Sequence, residues 1–129
     1  MSHPRGINVA FPARPESSPK LRSELRRFLE SLELDRALVD DLLLAAGEAA
    51  GNAIEHAYLD EHGSVRLHAF VTGAHVVVEV RDSGRWRLAG DPERGRGLGI
   101  MRALVDRVSI ESTQSGTNVR LELAISAAC

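Results

Sequence analysis

The longest helical signal in the chain runs from Asp35 to about Tyr58, and the other segments must pack around it. Asp35 is a favourable N-cap residue. Gly47 and Gly51 lie inside the helix, and each lowers helix stability by roughly 1 kcal/mol relative to alanine. We expect the close approach of a neighbour or ligand to offset that cost. Apolar residues recur every three or four positions and predict a buried side rich in alanine: Leu38, Leu42, Ala46, Ala49, Ala50, Ala53 and Ala57.

Alternating apolar residues predict antiparallel strands on either side of Gly73-Ala74, a two-residue turn with glycine where a type II′ turn prefers it. Ser18 and Pro19 predict the start of a first helix. Together the patterns indicate an α+β fold, a two-layer sandwich of a mostly antiparallel sheet with helices on one face. The strands and helices expected besides the long helix are 7–11, 18–32, 65–71, 75–80, 98–107, 108–112 and 117–125, with a polar loop at 82–96.

Length and composition predict one domain spanning residues 1–129, of which 1–6 are expected to be disordered. The net charge of −2 gives no broad attraction to nucleic acid or to an anionic membrane. No apolar run approaches the ~18 residues that a membrane span needs, and no signal peptide is evident. Cys129 is the only cysteine, so no internal disulfide can form and a cytoplasmic location is expected.

Four polar residues of the long helix fall within an arc of roughly 100°: Glu48, Asn52, Glu55 and His56. A solvated helix face is the ordinary interpretation of such a polar stripe. The small residues beside it favour a second interpretation, because they let another group come close to the carboxylate and the amide. Both interpretations stay open on this helix alone.

Three further segments combine turn chemistry with possible ligand contacts. Asp82-Ser83-Gly84 follows a buried strand and could be a plain turn or a fixed carboxylate at the base of a pocket. The glycines of Gly95-Arg96-Gly97-Leu98-Gly99 could belong to a flexible loop, or could let backbone N–H groups surround a phosphate before a helix. Gly116-Thr117 fits an ordinary hairpin. Each segment alone is ambiguous.

In order, these segments resemble the four nucleotide-binding boxes of the GHKL (histidine-kinase-like) ATPase superfamily. The stretches 47–58 and 95–106 closely resemble the anti-sigma-factor serine kinases, the RsbW-like branch of that superfamily. The resemblance covers about Val9 to Leu123. It implies the Bergerat-type ATP-binding fold.

The resemblance also implies residue roles. Glu48 would be the general base for a serine or threonine hydroxyl, and Asn52 would hold Mg²⁺. Asp82 would bind the adenine amino group of ATP, with Gly84 giving the base room and Thr117 assisting. The phosphates would be held by Gly95, Gly97, Leu98 and Gly99.

The implied function is that of a switch. A protein of this branch sequesters a sigma factor and phosphorylates an anti-anti-sigma partner with a STAS domain, and it usually acts as a homodimer. Trp86 stands where the family often has a second glycine, which leaves open a non-catalytic module that only senses nucleotide. A sensor histidine kinase is disfavoured because no suitable helical histidine precedes Asp35. No role follows for His56, and neither the sigma factor nor the STAS partner is specified.

Overall fold

The computed structural model describes residues 6–57, 63–82, 92–113 and 116–125, with backbone alone at 56–57 and 92–96. None of the described helices combines the length and apolar character that a membrane crossing requires. Within these ranges the elements are β1 (Gly6–Pro12), α1 (Ser17–Ser31), α2 (Arg36–Ala57), β2 (Ser64–Thr72), β3 (His75–Asp82), α3 (Pro92–Leu104), β4 (Arg107–Thr113) and β5 (Gly116–Ala124).

The described strands form one antiparallel sheet in the order β1-β2-β3-β5-β4. Thr72 pairs with His75, so Gly73 and Ala74 alone connect β2 to β3. Gly73 has a φ of 58° and Ala74 has no positive φ, as a type II′ turn requires. The predicted turn is therefore confirmed. Gly6, at the end of the segment expected to be disordered, begins β1 and pairs with Phe70.

The helices cover one face of the sheet, which confirms the two-layer α+β architecture. Alternate residues of β2, β3 and β5 point to this face and are fully or almost fully buried, because side chains of a strand alternate between its two faces. The predicted alanine-rich side of α2 packs against them. The main contributors to this core are Leu21, Leu25, Leu29, Leu42, Ala46, Ala49, Ala53, Val65, Leu67, Val78, Val80, Met101 and Leu121.

The opposite face of the sheet carries a polar network around Glu79. Arg120 Nη1 donates to Glu79 Oε2 at 3.1 Å, and His68 Nδ1 lies 3.4 Å from Glu79 Oε1. Further out, Arg66 Nη1 donates to Asn8 Oδ1 at 2.8 Å. This polar face contrasts with the apolar helix side and identifies the helix side as the core.

The two predicted helix starts have different outcomes. Asp35 caps α2 as expected, since its Oδ1 accepts a hydrogen bond from Ala37 N at 3.1 Å. The prediction for α1 is wrong: Glu16 is the N-cap and makes no side-chain capping bond. The chain already turns before Ser18, whose N–H bonds to Pro15 O at 3.2 Å. Pro19 is tolerated because the first-turn N–H groups have no helical acceptor.

Helix α3 also differs from the prediction. It begins at Pro92 and not at Leu98, and it ends at Leu104, so Arg107 starts β4. The expected loop 82–96 is therefore too long by five residues at its C-terminal end. Gly95, which we expected in the loop, and Gly97, which we expected just before the helix, both lie inside the first turns of this helix, as Gly99 does. Packing against α2 accounts for a helix with such low intrinsic propensity.

Candidate functional site

The polar stripe of α2 meets α3 at one buried glycine. Glu48 and Asn52 lie one turn apart and are both partly buried. A Cβ atom at Gly97 would stand 3.2 Å from Asn52 Nδ2 and 3.5 Å from Glu48 Oε1. The first of these distances is tighter than ordinary contact, so the absence of a side chain at Gly97 lets α3 lie against both polar groups. The structure thus brings together three of the predicted site residues.

The glycines within α2 do not serve the close packing that we expected inside the chain. A Cβ at Gly51 would meet nothing within 4 Å, and one at Gly47 would meet only Arg22 Cδ at 3.8 Å. Within the described part of the chain no neighbour comes closer than ordinary contact to either glycine, and the close approach of a ligand stays a prediction. The glycine that lies close to the polar stripe is Gly97 of α3.

Asp82 ends β3 on the helix-covered face and is 3% exposed. It pairs with Val65 of β2 on one side and with Thr117 of β5 on the other. Thr117 is 1% exposed, and its Oγ1 lies 3.2 Å from Ser112 Oγ. The structure thus brings two predicted residues into one row across the sheet. Val65 and Ser112 were not among the predicted residues, although strand alternation and pairing register point to them once the hairpins are aligned.

The group at the contact of α2 and α3 (Glu48, Asn52 and Gly97) and the row across the sheet (Asp82 and Thr117) lie at the same end of the sandwich. Helix α2 runs towards the start of β2, where Ser64 precedes Val65, the partner of Asp82. Ala49 and Ala53 of α2 directly follow Glu48 and Asn52 in sequence and are fully buried. A ligand that touches Asp82 and Asn52 would therefore lie over the C-terminal half of α2.

The remaining predicted residues are placed as follows. Leu98 is partly buried and packs against the core, whereas Gly99 is exposed with open space where a Cβ would be. Gly95 lies in the first turn of α3. Gly84 and Trp86 lie outside the described residues, as does the rest of the expected polar loop from 83 to 91.

The donor set fits a magnesium nucleotide. Asn52 Nδ2 is buried and has no hydrogen-bond partner among the residues that the structure describes. A half-turn about χ2 exchanges the nitrogen and oxygen of the amide, which would present a hard oxygen donor of the type that Mg²⁺ prefers. Within the described ranges no three His, Cys, Asp or Glu side chains cluster as metal ligands.

Comparison with known proteins places this geometry in a family. A family model described as a histidine kinase-like ATPase domain matches residues 11–123. The chain belongs to the histidine kinase-like ATPase family. Its antiparallel sheet with helices on one face is the fold of this family.

Relatives of this histidine kinase-like ATPase domain have names that agree with the resemblance seen in the sequence. The chain is similar to an anti-sigma F factor of Thermoanaerobacter sp. (strain X514), with 25% identity over 94% of each chain. It is also similar to a serine-protein kinase RsbW of Bacillus velezensis, with 29% identity over 89% of this chain and 82% of the relative.

Solved structures support the fold of the domain. It is similar to a Mycobacterium tuberculosis structure of RsbU and RsbW domains, with a TM-score of 0.81 and 26% identity over 98% of this chain. The chain spans 34% of that longer protein. A structure of the SiaB-SiaC complex from Pseudomonas aeruginosa has the same fold, with a TM-score of 0.68 and 15% identity over 92% of this chain and 90% of that one.

Proposed function

We propose that this chain is an ATP-binding anti-sigma factor and protein serine/threonine kinase of a partner-switching pathway. It sequesters a sigma factor and phosphorylates an anti-anti-sigma protein with a STAS domain, which releases the sigma factor. The names of its relatives support this pathway, and the family supplies the ATPase domain. Homodimerisation and a cytoplasmic location are part of the same proposal.

One observation carries the enzymatic part: Glu48 Oε1 and the Asn52 amide face the same buried glycine on α3. Two groups held on adjacent turns of a rigid helix keep a fixed separation. Glu48 would accept the proton of the acceptor hydroxyl as the oxygen forms its bond to phosphorus. Asn52 would hold Mg²⁺, and phosphoryl transfer depends chiefly on such positioning and charge neutralisation.

The nucleotide itself supplies the phosphoryl group, and Mg²⁺ neutralises charge on its phosphates when bound. Asp82 would accept a hydrogen bond from the adenine amino group, with Thr117 beside it. Gly84 would leave room for the base. The phosphates would lie against the N-terminal turns of α3, where the helix dipole adds partial positive charge. The residues there are Gly95, Gly97, Leu98 and Gly99.

Phosphotransfer to the STAS-domain proteins of the host, followed by intact mass, tests the proposal. Glu48→Gln keeps the shape of the side chain but cannot accept a proton, so transfer should fall at least about a hundredfold with near-normal ATP affinity. Glu55→Gln is the matched control, because Glu55 is exposed on the same helix. Transfer at the wild-type rate by Glu48→Gln would remove Glu48 from the mechanism.

A non-catalytic module that senses nucleotide is the second candidate, and Trp86 in place of the family's second glycine favours it. Such a module would bind Mg·ATP and a partner, with ATP changing the partner affinity. Absence of phosphorylation on every STAS protein of the host, together with ATP-dependent partner binding, would select this alternative.

A further inference from the structure

Two large apolar side chains are exposed in the described part of the chain: Leu44 is 60% exposed and Ile100 is 45% exposed. Isolated exposed apolar residues are common on protein surfaces. These two deserve an explanation because of their positions relative to Glu48.

Leu44 lies one helical turn before Glu48 on α2. Residues four apart on a helix have Cβ atoms about 5–6 Å apart on the same face. Leu44 and Gly51 are exposed on either side of Glu48 along this face. An apolar side chain therefore stands next to the proposed general base on its solvent side.

Ile100 reaches the same place from α3. Helix α2 runs towards Ser64, beside Asp82, whereas α3 runs from that end to Arg107, whose strand partner is Glu122. The two helices contact each other and are thus antiparallel.

Because Gly97 lies level with Glu48 and Asn52, the next turn of α3 comes level with the preceding turn of α2. Ala45 and Met101 are buried on that turn, and Leu44 and Ile100 directly precede them on the solvent side.

We infer that Leu44 and Ile100, the apolar pair, form the contact surface for the segment of the STAS partner that carries the acceptor hydroxyl. This inference rests on the proposed function. The acceptor oxygen must come within hydrogen-bond distance of Glu48. The segment that carries it must then cover the adjacent turns of α2 and α3.

The surface also indicates the chemistry of the occupant. Gly51 and Gly99 are exposed and have open space where a Cβ would be, so the backbone of an incoming segment can approach closely. The apolar pair fits a segment with an apolar side chain a few residues from its serine or threonine. Burial of that side chain together with Leu44 and Ile100 would favour capture of this segment over a polar one.

The test uses the full chain and each purified STAS-domain protein of its host. Leu44→Gln and Ile100→Gln should each raise the KM for the STAS substrate about tenfold, and the double variant should raise it further. The kcat at saturating substrate and the affinity for Mg·ATP should stay within about twofold. Ala37→Gln is the matched control, because Ala37 is exposed on α2 two helical turns before Leu44 and farther still from Glu48.

The outcomes separate the inference from the proposed function. Wild-type transfer with an unchanged KM in both variants overturns the contact surface and leaves the kinase intact. A shift from dimer to monomer in either variant, seen by light scattering, assigns the apolar pair to contact between copies and also overturns it. Loss of sigma-factor binding with an unchanged substrate KM assigns the apolar pair to contact with the sigma factor and also overturns the inference. Failure of the wild type to bind or phosphorylate any STAS protein overturns the proposed function and this inference together.

Discussion

Gly97→Ala is the sharpest perturbation that the structure offers. The new Cβ would stand 3.2 Å from Asn52 Nδ2, so the amide must move by a few tenths of an ångström. Alanine favours the helix over glycine by about 1 kcal/mol, and this gain offsets the steric cost of placing the new Cβ against Asn52. We therefore expect the melting temperature without nucleotide to stay within about 4 °C of wild type.

The nucleotide response should change more than the stability. Mg²⁺ demands near-ideal octahedral geometry, so displacement of Asn52 should weaken Mg·ATP binding about tenfold. At a nucleotide concentration of ~100 times the wild-type Kd, the stabilisation by ligand would fall from about 2.7 to about 1.4 kcal/mol. Phosphotransfer should fall about tenfold as well, since misplacement by 1 Å can cost about a hundredfold.

Thermal unfolding with and without Mg·ATP is the assay. Gly51→Ala is the control for nucleotide binding, because a Cβ at Gly51 meets nothing within 4 Å. This control should gain up to about 1 kcal/mol of stability and keep the full nucleotide shift. A full nucleotide shift in Gly97→Ala would refute the argument that this glycine sets the geometry of Asn52.

Three further predictions use the same measurements. Asp82→Asn should abolish the stabilisation by ATP, because the amide is a weaker hydrogen-bond acceptor than the buried carboxylate. The control Asp106→Asn, at an exposed aspartate, should retain the stabilisation by ATP. Asn52→Ala should remove the Mg²⁺-dependent part of nucleotide binding with an unchanged circular dichroism spectrum, since its Nδ2 has no hydrogen-bond partner within the described ranges and alanine favours the helix. Unfolding would instead assign Asn52 to the fold. Asp35→Ala should cost about 0.5–2 kcal/mol in urea unfolding through loss of the bond to Ala37 N, and no change would mean that this cap is not needed.

The parts of the fold that were predicted correctly are those with a local chemical cause. Gly73 has the positive φ that its turn requires, and Asp35 caps α2, because both effects act within a few residues. The start of α3 was missed for the opposite reason. The segment after Asp82 has no apolar periodicity, and three glycines inside one helix contradict intrinsic propensity, so only contact with α2 explains it.

The motifs in the sequence name the residues of the candidate site but not how those residues are arranged. The order of the motifs indicated Glu48, Asn52, Asp82 and Thr117, and the structure places them in two groups at one end of the sandwich. Which glycine lies close to the polar stripe depends on how α2 and α3 pack, and no local pattern reports that. The exposure of Leu44 was equally hidden, because residues 42–44 are all leucine and periodicity cannot tell which of them faces solvent.

The short turn between β2 and β3 has a consequence at the far end of the hairpin. Thr72 pairs with His75 beside the turn, and Val65 pairs with Asp82 seven residue pairs away, a distance of about 24 Å. Strand faces alternate with every residue, so a shift in pairing by one residue would rotate the carboxylate of Asp82 to the outer, polar face. The length of a solvent-exposed connection thus determines whether the proposed adenine acceptor points into the protein, and insertions at Gly73-Ala74 would act on nucleotide binding without touching the nucleotide.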